Sequence, residues 1–523
     1  MAIPSDAPFP LTGSDFVDVI TTGYSWQFDS DRTIRWALAD GSDGKSWGNA
    51  DAMQNNIVTM LGYFADYIDV KFEYAGYFPN PSIAYNEGSD ITISLAGESV
   101  FGSNTNAWGR GLFPNSSYNT SLYTGAPGDI FINADSEANN LSYDRGSAGW
   151  HLLIHELGHA LGLKHTHDDG GTGRPTASEV DLEQFDIDWA SIMSYQDEFE
   201  FNRLSWNPAT PMPLDIIGLQ HLYGTNNNVN AGDTILVTED TADYRTFRDN
   251  GRGTDRIDAS LMEDGIRVQL PEPALQRIGS ISKISEDDLS SPTYFHWLMG
   301  GIEDIVGSDF DDVLKGNEGL NNFQGRAGND VIGGKSGTDY AQYGIAIDQV
   351  LELVAEDDIF RVNTGSSSTE GNDVLFDIER LVFTDGYIAI DINGVGGKAY
   401  RIYQAAFDRT PDAEGVGYWI AQMDRGMEVT EVASRFIDSD EFRSQYGEAP
   451  SNDQFLTALY SNVLDREPDN EGFVWWLDQL DNNPEKIPNQ VLADFSESPE
   501  NQNNVIDIIG NGFAYTFWDP AAL

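Results

Sequence analysis

The chain has 523 residues, 40% of them hydrophobic and 12% aromatic, which is enough to bury the cores of about three domains. Its 85 acidic and 29 basic residues give a formal net charge of −56, and a surface of that sign argues against nucleic acid or anionic membrane as a partner. It contains no cysteine, so an exported protein of this composition would depend on bound metal ions rather than disulfides to stabilise its fold.

The N-terminal residues, MAIPSDAPFPLTGSDF, lack the basic and apolar regions of a secretory signal peptide. No later apolar run is long enough to span a bilayer, so we expect no transmembrane segment. The protein is therefore either cytoplasmic or exported by a route that reads another signal. We interpret residues 1–20 as a short propeptide.

The next two hundred residues alternate between helical and extended patterns. Apolar side chains at helical spacing predict a helix over residues 49–67, and alternation predicts strands over 70–74, 90–95 and 129–133. A second helix begins near Ser147, and a third covers residues 213–224 before a polar stretch interrupts the pattern. We predict one domain over residues 21–225.

Residues 155–165 read HELGHALGLKH and carry the strongest signal for chemistry. His155 and His159 share one helix face and can hold a single ion, with Glu156 near its open side. Gly162 lets the chain leave the helix, so that His165 returns as a third ligand. Three histidines leave one position for water, whose pKa zinc lowers to roughly 7, and Glu156 is placed to take its proton.

A second motif, SIMSY at residues 191–195, follows after a helix-and-loop length. An HExxH motif alone often arises by chance, but the extended motif followed by a methionine turn is the metzincin signature. His151 and His167 are near enough to reach the ion, and we interpret them as surface or supporting residues because the pattern is complete without them. His221 has no ligand partner in the sequence.

HELGHALGLKH together with SIMSY resembles the serralysins, the calcium-dependent secreted metalloproteases of bacteria. The resemblance implies a metzincin catalytic domain and a zinc ion held by four residues: His155, His159, His165 and Tyr195. It further implies that Glu156 is the general base, that Tyr195 also stabilises the oxyanion and that Met193 is structural. The chain departs from the family at Thr166, where proline is usual, and we expect this change to affect loop rigidity more than chemistry.

The same resemblance implies a substrate-binding strand, partners, an oligomeric state and a route of export. The segment AWGRGLFP lies where the family has an edge strand that binds an extended peptide, and its predicted substrate-binding residues are Ala107, Trp108, Gly109, Arg110, Gly111 and Leu112. Protein and peptide substrates, a proteinaceous inhibitor and a monomeric state are implied as well. Family members leave the cell through a type I secretion machinery that reads a C-terminal signal, so we expect an extracellular protein.

Four nonapeptides run from residue 307 to residue 342: GSDFDDVLK, GNEGLNNFQ, GRAGNDVIG and GKSGTDYAQ. They match the repeat GGxGxDxUx, which predicts a parallel β-roll with calcium between stacked loops. The sixth-position ligands are Asp312, Asn321, Asp330 and Asp339. The carbonyl ligands are Ser308, Phe310, Asn317, Gly319, Arg326, Gly328, Lys335 and Gly337. The recurring strand residues are Val313, Phe323, Val331 and Tyr340.

Segments upstream of the repeats resemble the first calcium site of the family. The implied ligands are Asn230, Gly232, Thr234, Asp249, Gly251, Gly253, Asp255, Gly301 and Glu303. The loop that begins at Asp249 is one residue longer than the family's usual loop. With the repeats, these segments predict a calcium-binding domain over residues 226–397.

The last part of the chain contains a duplication. YQAAFDRTPDAEGVGYW, starting at Tyr403, recurs as YSNVLDREPDNEGFVWW, starting at Tyr460. It resembles a helical domain of unknown function that occurs in tandem in secreted bacterial proteins, so we predict helices over residues 398–523. The shared Asp-Arg and Pro-Asp pairs fit either an ion-paired turn or a cation or glycan site. We favour the turn, because these residues are typical of the ends of helices.

The sequence thus predicts a multidomain α+β protein with a metzincin domain, a parallel β-roll and an all-α end. We interpret it as a secreted, calcium-stabilised zinc endopeptidase. The alternative is a calcium-binding surface or adhesion protein that carries an inactive protease-like domain. Because Glu156 and Tyr195 are both present, the sequence favours the enzyme. A different metzincin branch is disfavoured by SIMSY and by the repeats.

Overall fold

In a computed structural model, the chain is described over residues 2–41, 44–104, 106–117, 126–195, 207–227, 234–238, 243–249, 253–272, 278–284, 294–356, 359–365 and 370–518. It divides into two compact units: Met1–Asp255 with Leu270–Ile302, and Arg256–Gln269 with Glu303–Leu523. The first unit therefore continues past the predicted domain limit at residue 225. The structure is mixed α+β, with many parallel strands and a helical C-terminal region, as the sequence predicts.

The helices of the first unit are α1 Asp15–Asp18, α2 Ala50–Tyr67, α3 Pro81–Asn86, α4 Glu98–Phe101, α5 Ala148–Ala160 and α6 Pro213–Tyr223. The strands up to residue 248 are β1 Ile3–Pro4, β2 Trp26–Gln27, β3 Thr33–Ala39, β4 Lys71–Phe78, β5 Ile91–Ala96, β6 Gly109–Gly111, β7 Ile130–Asn133, β8 Asn207–Pro208, β9 Thr234–Leu236 and β10 Asp243–Arg248.

The following strands are β11 Asp255–Asp258, β12 Ile266–Glu272, β13 Ile278–Lys283, β14 Phe295–Met299, β15 Ile302–Val306, β16 Val313–Lys315, β17 Asn322–Gln324, β18 Val331–Gly333, β19 Tyr340–Gln342, β20 Glu352–Glu356, β21 Ile359–Asn363, β22 Asn372–Phe376, β23 Arg380–Phe383, β24 Gly386–Ala389 and β25 Phe513–Tyr515. The later helices are α7 Val395–Phe407, α8 Ala413–Met423, α9 Val429–Ile437, α10 Asp440–Tyr446, α11 Asn452–Asn462, α12 Asn470–Asn482, α13 Pro488–Ser496 and α14 Pro499–Ile509.

Five strands of the first unit form a sheet in the order β4-β3-β5-β7-β6. The β3, β4, β5 and β7 pairings are parallel, whereas β6 runs antiparallel to β7 at the edge. Helix α2 begins where the Asn49 side chain accepts a hydrogen bond from the Ala52 amide, and it buries an apolar stripe that includes Ile57, Leu61 and Phe64. This packing makes the sheet a rigid support for its edge strand.

The N-terminal segment is part of the first unit. Strand β1 pairs with β2, and Val19 and Ile20 are fully buried. The Asp18 carboxylate forms a buried ion pair with Arg174 at 3.0 Å. The predicted propeptide at residues 1–20 stays a prediction, and the last four residues of that segment, 17–20, are buried in the body that it would leave.

In the second unit, short strands stack in parallel, and the pairs β15–β17, β16–β18 and β17–β19 are spaced by two nonapeptides. β15, β17, β19 and β23 form one parallel stack, and β12, β16, β18 and β22 form another. The central residue of each repeat strand turns inward, because neighbouring side chains in a strand point to opposite faces. These buried residues are Leu314, Phe323, Ile332 and Ala341.

The C-terminal region packs helices α7–α14 around a common apolar core. The prediction of an all-helical end is wrong at its last element, because β25 returns to pair antiparallel with β24. The pairing covers an edge of β24 that would otherwise expose unpaired backbone groups. Within the described ranges, no helix is both long and apolar enough to cross a membrane.

Candidate metal centre and repeat loops

Helix α5 carries the first two histidines of the motif on one face. The Ser147 hydroxyl caps this helix by accepting a hydrogen bond from the Trp150 amide. The His165 Nε2 lies 3.2 Å from the His155 Nε2 and 3.1 Å from the His159 Nε2. Three imidazole nitrogens that converge on one point form a group able to hold a metal ion.

The turn that returns His165 depends on Gly162. Its φ of +101° lies in the left-handed region, and an added Cβ would come within 2.3 Å of the Tyr24 carbonyl oxygen. The Leu163 amide donates to the Gly158 carbonyl at 2.9 Å, which closes the helix end. Glycine is therefore required there both by backbone conformation and by space.

The opposite nitrogen of each histidine has its own oxygen partner. The Nδ1 atoms of His155 and His159 lie 2.7 Å and 2.9 Å from the carbonyl oxygens of Ile192 and Leu163. The His165 Nδ1 lies 2.6 Å from Asp168 Oδ2. When Nδ1 carries the proton, the Nε2 lone pair is free to bind a metal. Asp168 was missed in the sequence, although a carboxylate three residues after a ligand histidine was a usable signal.

Burial disfavours the charged forms of the titratable side chains in this group. Burial, followed by the neighbouring histidines, lowers the pKa of His155 well below its usual value, and burial lowers the pKa of His159 to about 3. Burial also raises the pKa of Glu156 to about 8. Glu156 Oε2 is buried and has no hydrogen-bond partner among the described residues. Neutral imidazoles beside an unsatisfied carboxyl oxygen fit a metal such as zinc.

The methionine turn packs directly beneath α5. An added Cβ at Gly158 would lie 2.6 Å from Met193 Sδ, so this glycine lets the turn approach the helix. The Asp215 carboxylate holds the turn by accepting from the Ser191 hydroxyl at 2.7 Å and from the Ile192 amide at 2.8 Å. Asp215 was also missed, because nothing in the motif points to a residue on α6.

Tyr195 lies beside the three histidines. Its ring centroid is 5.3 Å from that of His155, nearly parallel to it, and 4.4 Å from that of His165. The residue is 63% exposed, so its side chain is open to solvent. The structure thus brings Tyr195 to the group that the sequence predicted for it.

The other histidines considered in the sequence analysis do not join the three converging Nε2 atoms. His167 is exposed and stacks on His165 with ring centroids 5.1 Å apart. Together with Asp168 these two histidines form a second cluster close enough to hold an ion. The His151 ring is 6.5 Å from that of His155, and the exposed His221 contacts Phe9.

The edge strand β6 passes directly over Glu156. The Gly111 amide donates a hydrogen bond to the Glu156 carboxyl group, whose oxygen would lie 2.6 Å from an added Cβ at Gly109. Of the predicted substrate-binding residues, Gly109, Arg110 and Gly111 form β6, whereas Ala107, Trp108 and Leu112 flank it and Leu112 is buried. Glycines at positions 109 and 111 let the β6 backbone approach Glu156 and His159 closely.

We expect Gly111→Ala to lower kcat/KM for peptide hydrolysis by at least about tenfold. The added Cβ would lie 2.6 Å from the Glu156 carbonyl oxygen and 2.8 Å from the His159 Cβ, so β6 must move away from α5. Gly62→Ala is the matched control, because Gly62 is an exposed position of α2 and its added Cβ would meet nothing within 4 Å. Equal kinetics for both variants would remove β6 from the substrate site.

The sixth-position residues of the nonapeptides form two hydrogen-bonded ladders. The Asp312 amide donates to Asp330 Oδ1 at 2.9 Å, and the Asp330 amide donates to Asp373 Oδ1 at 2.9 Å. On the other side the Asn321 amide donates to Asp339 Oδ1 at 2.8 Å. The second oxygens, Asp330 Oδ2 and Asp339 Oδ2, are buried and have no hydrogen-bond partner among the described residues.

These carboxyl groups are disfavoured as anions without a cation. Burial, and then the charge of Asp373, raises the pKa of Asp330 to about 9. Burial raises the pKa of Asp339 to about 7. Two buried carboxyl oxygens without a hydrogen-bond partner among the described residues match the oxygen donors that calcium prefers. The donor set therefore fits calcium.

The carbonyl ligands predicted for the repeats lie on the loops that precede β16, β17, β18 and β19. Arg326 and Lys335 hold positive φ angles of 75° and 85°, so these loops are tightly turned. Gly328 packs on the loop two repeats earlier, since an added Cβ would lie 2.5 Å from the Phe310 carbonyl oxygen. This stacking leaves no room for a side chain at that position.

Both ladders continue beyond the predicted repeats. Asp373 follows Asp330 by 43 residues rather than by the 18 that separate Asp312 from Asp330, and Glu379 accepts from the Asp339 amide at 2.7 Å. The segment EGNDVLF, which holds Asp373, has the repeat's glycine and aspartate at the correct interval. The insertion before this segment breaks the regular repeat interval, so the segment was missed. A search for single repeat fragments would have found it.

The upstream site is described in part. Asn230, Gly232 and Gly251 lie outside the described residues. Asp249 Oδ2 accepts from the Gly301 amide at 3.3 Å, so the structure brings these two predicted ligands together. Thr234 begins β9, Gly253 has a φ of +91°, and Asp255 is buried. The Glu303 carbonyl accepts from the Asn321 side chain at 3.1 Å.

We expect the loops of Asn321 and Asp339 to bind calcium more weakly than those of Asp312 and Asp330. The neutral side-chain amide of Asn321 donates to the Glu303 carbonyl, and it supplies no charge to an ion. Asn321→Asp should therefore lower the calcium concentration at half saturation, and Asp330→Ala should raise it. Calorimetric titration of the full chain measures both, and the reverse order would contradict the ranking.

Comparison with known proteins finds similarity to bacterial metalloproteases over part of the chain. Metallopeptidase AprA of Pseudomonas marginalis is 29% identical over 206 residues, 35% of this chain and 43% of that protein. Serralysin A of Dickeya chrysanthemi is 30% identical over 217 residues, 38% of this chain and 43% of that protein. Serralysin of Proteus mirabilis is 25% identical over 254 residues, 47% of each chain.

The chain therefore spans less than half the length of each of these relatives. A family model described as a domain of unknown function, DUF4214, matches residues 433–505 within the duplicated helices. The resemblances found in the sequence are thus confirmed: part of this chain is similar to the serralysin and AprA metalloproteases, and its C-terminal helices contain a DUF4214 domain.

Proposed function

We propose that this chain is a secreted zinc endopeptidase that hydrolyses peptide bonds of extracellular proteins. One observation carries the proposal: three imidazole Nε2 atoms converge beside a buried Glu156 whose Oε2 has no hydrogen-bond partner among the described residues, directly under an edge strand. In this proposal His155, His159, His165 and Tyr195 hold the metal, and Met193 supports them. The similarity to serralysins supports the same metal.

Glu156, β6 and Tyr195 each act in hydrolysis, and Tyr195 does so in addition to its role as a metal ligand. Zinc, when bound, supplies a Lewis acid that polarises the peptide carbonyl and acidifies a water molecule. Glu156 takes the proton of the attacking water at its carboxyl group and delivers it to the departing amine nitrogen. The backbone of β6 pairs with the substrate as an extended strand, which gives affinity with little sequence preference. The Tyr195 phenol donates to the oxygen that becomes negative in the transition state.

A chelation experiment tests this function. Digestion of casein by the full chain should stop after treatment with phenanthroline and return when zinc is added. Calcium is kept constant throughout, so that the repeat loops are unaffected. Digestion that survives complete removal of zinc would contradict the proposal.

We expect Tyr195→Phe to retain zinc and to lower kcat more than it raises KM. The ring still contacts His155 and His165, but the hydroxyl that stabilises the developing negative charge is lost. The kcat loss should be about tenfold or more, since a donor to an oxyanion contributes most in the transition state. Steady-state kinetics on one peptide measures the two parameters, and an effect confined to KM would remove Tyr195 from this step.

We propose further that the second unit contains a parallel calcium-binding β-roll that stabilises the protein outside the cell. Two ladders of sixth-position side chains and two unpaired buried carboxyl oxygens support it. The proposal assigns residues 21–225 to a metzincin domain, 226–397 to the calcium-binding domain and 398–523 to the helical repeats. Export by a type I machinery, a monomeric state and control by a proteinaceous inhibitor belong to the same proposal, by similarity to serralysins.

A further inference from the structure

The residue after the third histidine makes a contact that a proline could not make. Thr166 is fully buried, and its hydroxyl donates a hydrogen bond to Asp186 Oδ1. Its carbonyl oxygen accepts from the Ala177 amide at 2.8 Å. Proline, the residue usual in serralysins, has no hydroxyl to donate. Thr166 is therefore anchored through its hydroxyl as well as through its backbone carbonyl.

The same carboxyl oxygen accepts a second hydroxyl. The Ser194 Oγ donates to Asp186 Oδ1 at 2.9 Å, and both residues are buried. Asp186 itself ends a short 3-10 helix, where its amide donates to the Glu183 carbonyl at 3.0 Å. Hydrogen bonds to a buried carboxylate are stronger than the same bonds in water. Asp186 thus ties Thr166 to Ser194, an arrangement that we call the hydroxyl bridge.

The hydroxyl bridge connects the two segments whose side chains meet at the metal centre. Thr166 directly follows His165, and Ser194 directly precedes Tyr195. Consecutive Cα atoms are about 3.8 Å apart, so a shift at either end of the bridge moves the neighbouring ring. The rings of His165 and Tyr195 already lie in contact, with centroids 4.4 Å apart.

We propose that Thr166, Asp186 and Ser194 are positioning residues that set the geometry of Tyr195 relative to His165. The inference rests on the proposed zinc endopeptidase function and adds to it. Loss of the hydroxyl bridge removes neither the His165 ring nor the Tyr195 ring. It does release the end of the methionine turn from the loop that carries the third ligand. Transition-state stabilisation by Tyr195 then weakens while substrate binding along β6 is kept.

The test compares Thr166→Val, Ser194→Ala and the double variant in the full chain. Each single variant should lower kcat by about three- to tenfold with KM within about twofold, and the double variant should be no worse than the poorer single variant, because either change breaks the same link. The visible spectrum of the cobalt-substituted protein should change in all three. Thr166→Ser should restore both readouts, and Thr176→Val is the control, because its exposed hydroxyl bonds only within its own loop.

Unchanged kcat and cobalt spectra in both single variants would overturn the inference. A lower melting temperature with unchanged kinetics and spectrum would also overturn it, since the bridge would then be only structural. Additive losses in the double variant would contradict the coupling. If Thr166→Val does not fold, Ser194→Ala alone decides the outcome. If the unmodified chain binds cobalt but cleaves no peptide, the proposed function is wrong. The cobalt spectra of the variants then still test whether the hydroxyl bridge sets the geometry of the metal centre.

Discussion

Glu156→Ala is expected to bind zinc as tightly as the unmodified chain and to lose about 10²- to 10⁴-fold in kcat. Glu156 is not one of the three converging histidines, so the ligand set is unchanged by its removal. The loss arises because no other carboxyl group with an unpaired oxygen faces this centre from α5 among the described residues. Zinc content by mass spectrometry and kcat on a peptide substrate measure the two halves of the expectation.

Two further variants separate chemistry from packing at this position. Glu156→Gln keeps the size of the side chain but cannot accept the proton, so it should be as inactive as the alanine variant. Glu137→Gln is the matched control, because Glu137 is exposed and lies near Trp108 beside the flank of β6. Activity of Glu156→Gln within about tenfold of the unmodified chain would remove Glu156 from the role of general base.

Chelation of calcium is expected to lower the melting temperature of the second unit by about 10 °C or more. Two sites, each saturated at about 100 times its Kd, contribute about 5 kcal/mol together, and each kcal/mol shifts a unit of this size by about 2–4 °C. Without the ion, Asp330 and Asp373 are neighbouring buried carboxyl groups, and burial followed by the charge of Asp373 raises the pKa of Asp330. The repeat strands bury mainly one side chain each and cannot offset that repulsion.

Differential scanning calorimetry of the full chain with calcium, with EDTA, and with EDTA plus excess magnesium measures this effect. Magnesium should not restore the transition, because it requires a smaller octahedral site and retains its own water molecules. A second-unit transition that is identical in calcium and EDTA would contradict a calcium-stabilised roll. It would leave the zinc centre of the first unit untouched.

Short-range spacing made much of the candidate site predictable. The interval between His155 and His159 fixes two side chains on one helix face, and Gly162 needs only a local turn to return His165. The repeat interval likewise predicts that alternate strands pair, as β16 and β18 do. Helix α2 was predictable because its apolar stripe and its Asn49 cap are both local signals.

The missed residues act across the chain. Asp215 holds the methionine turn from 24 residues away, and Asp186 joins Thr166 to Ser194 only after the loop between them has folded. Glu379 is displaced from the repeat interval by an insertion. Strand β25 lies far from its partner β24 in sequence, and a three-residue strand after a run of helices gives no periodic signal.

Anomalous diffraction at the zinc absorption edge, from crystals of the unmodified chain grown with zinc and calcium, tests the central claim most directly. We predict one strong peak bonded to the Nε2 atoms of His155, His159 and His165, with Glu156 beside it but not bonded to it, and no such peak for a His165→Phe variant. Zinc that is bound elsewhere, or a first unit that crystallises with zinc and leaves these three nitrogens unligated, would contradict the account.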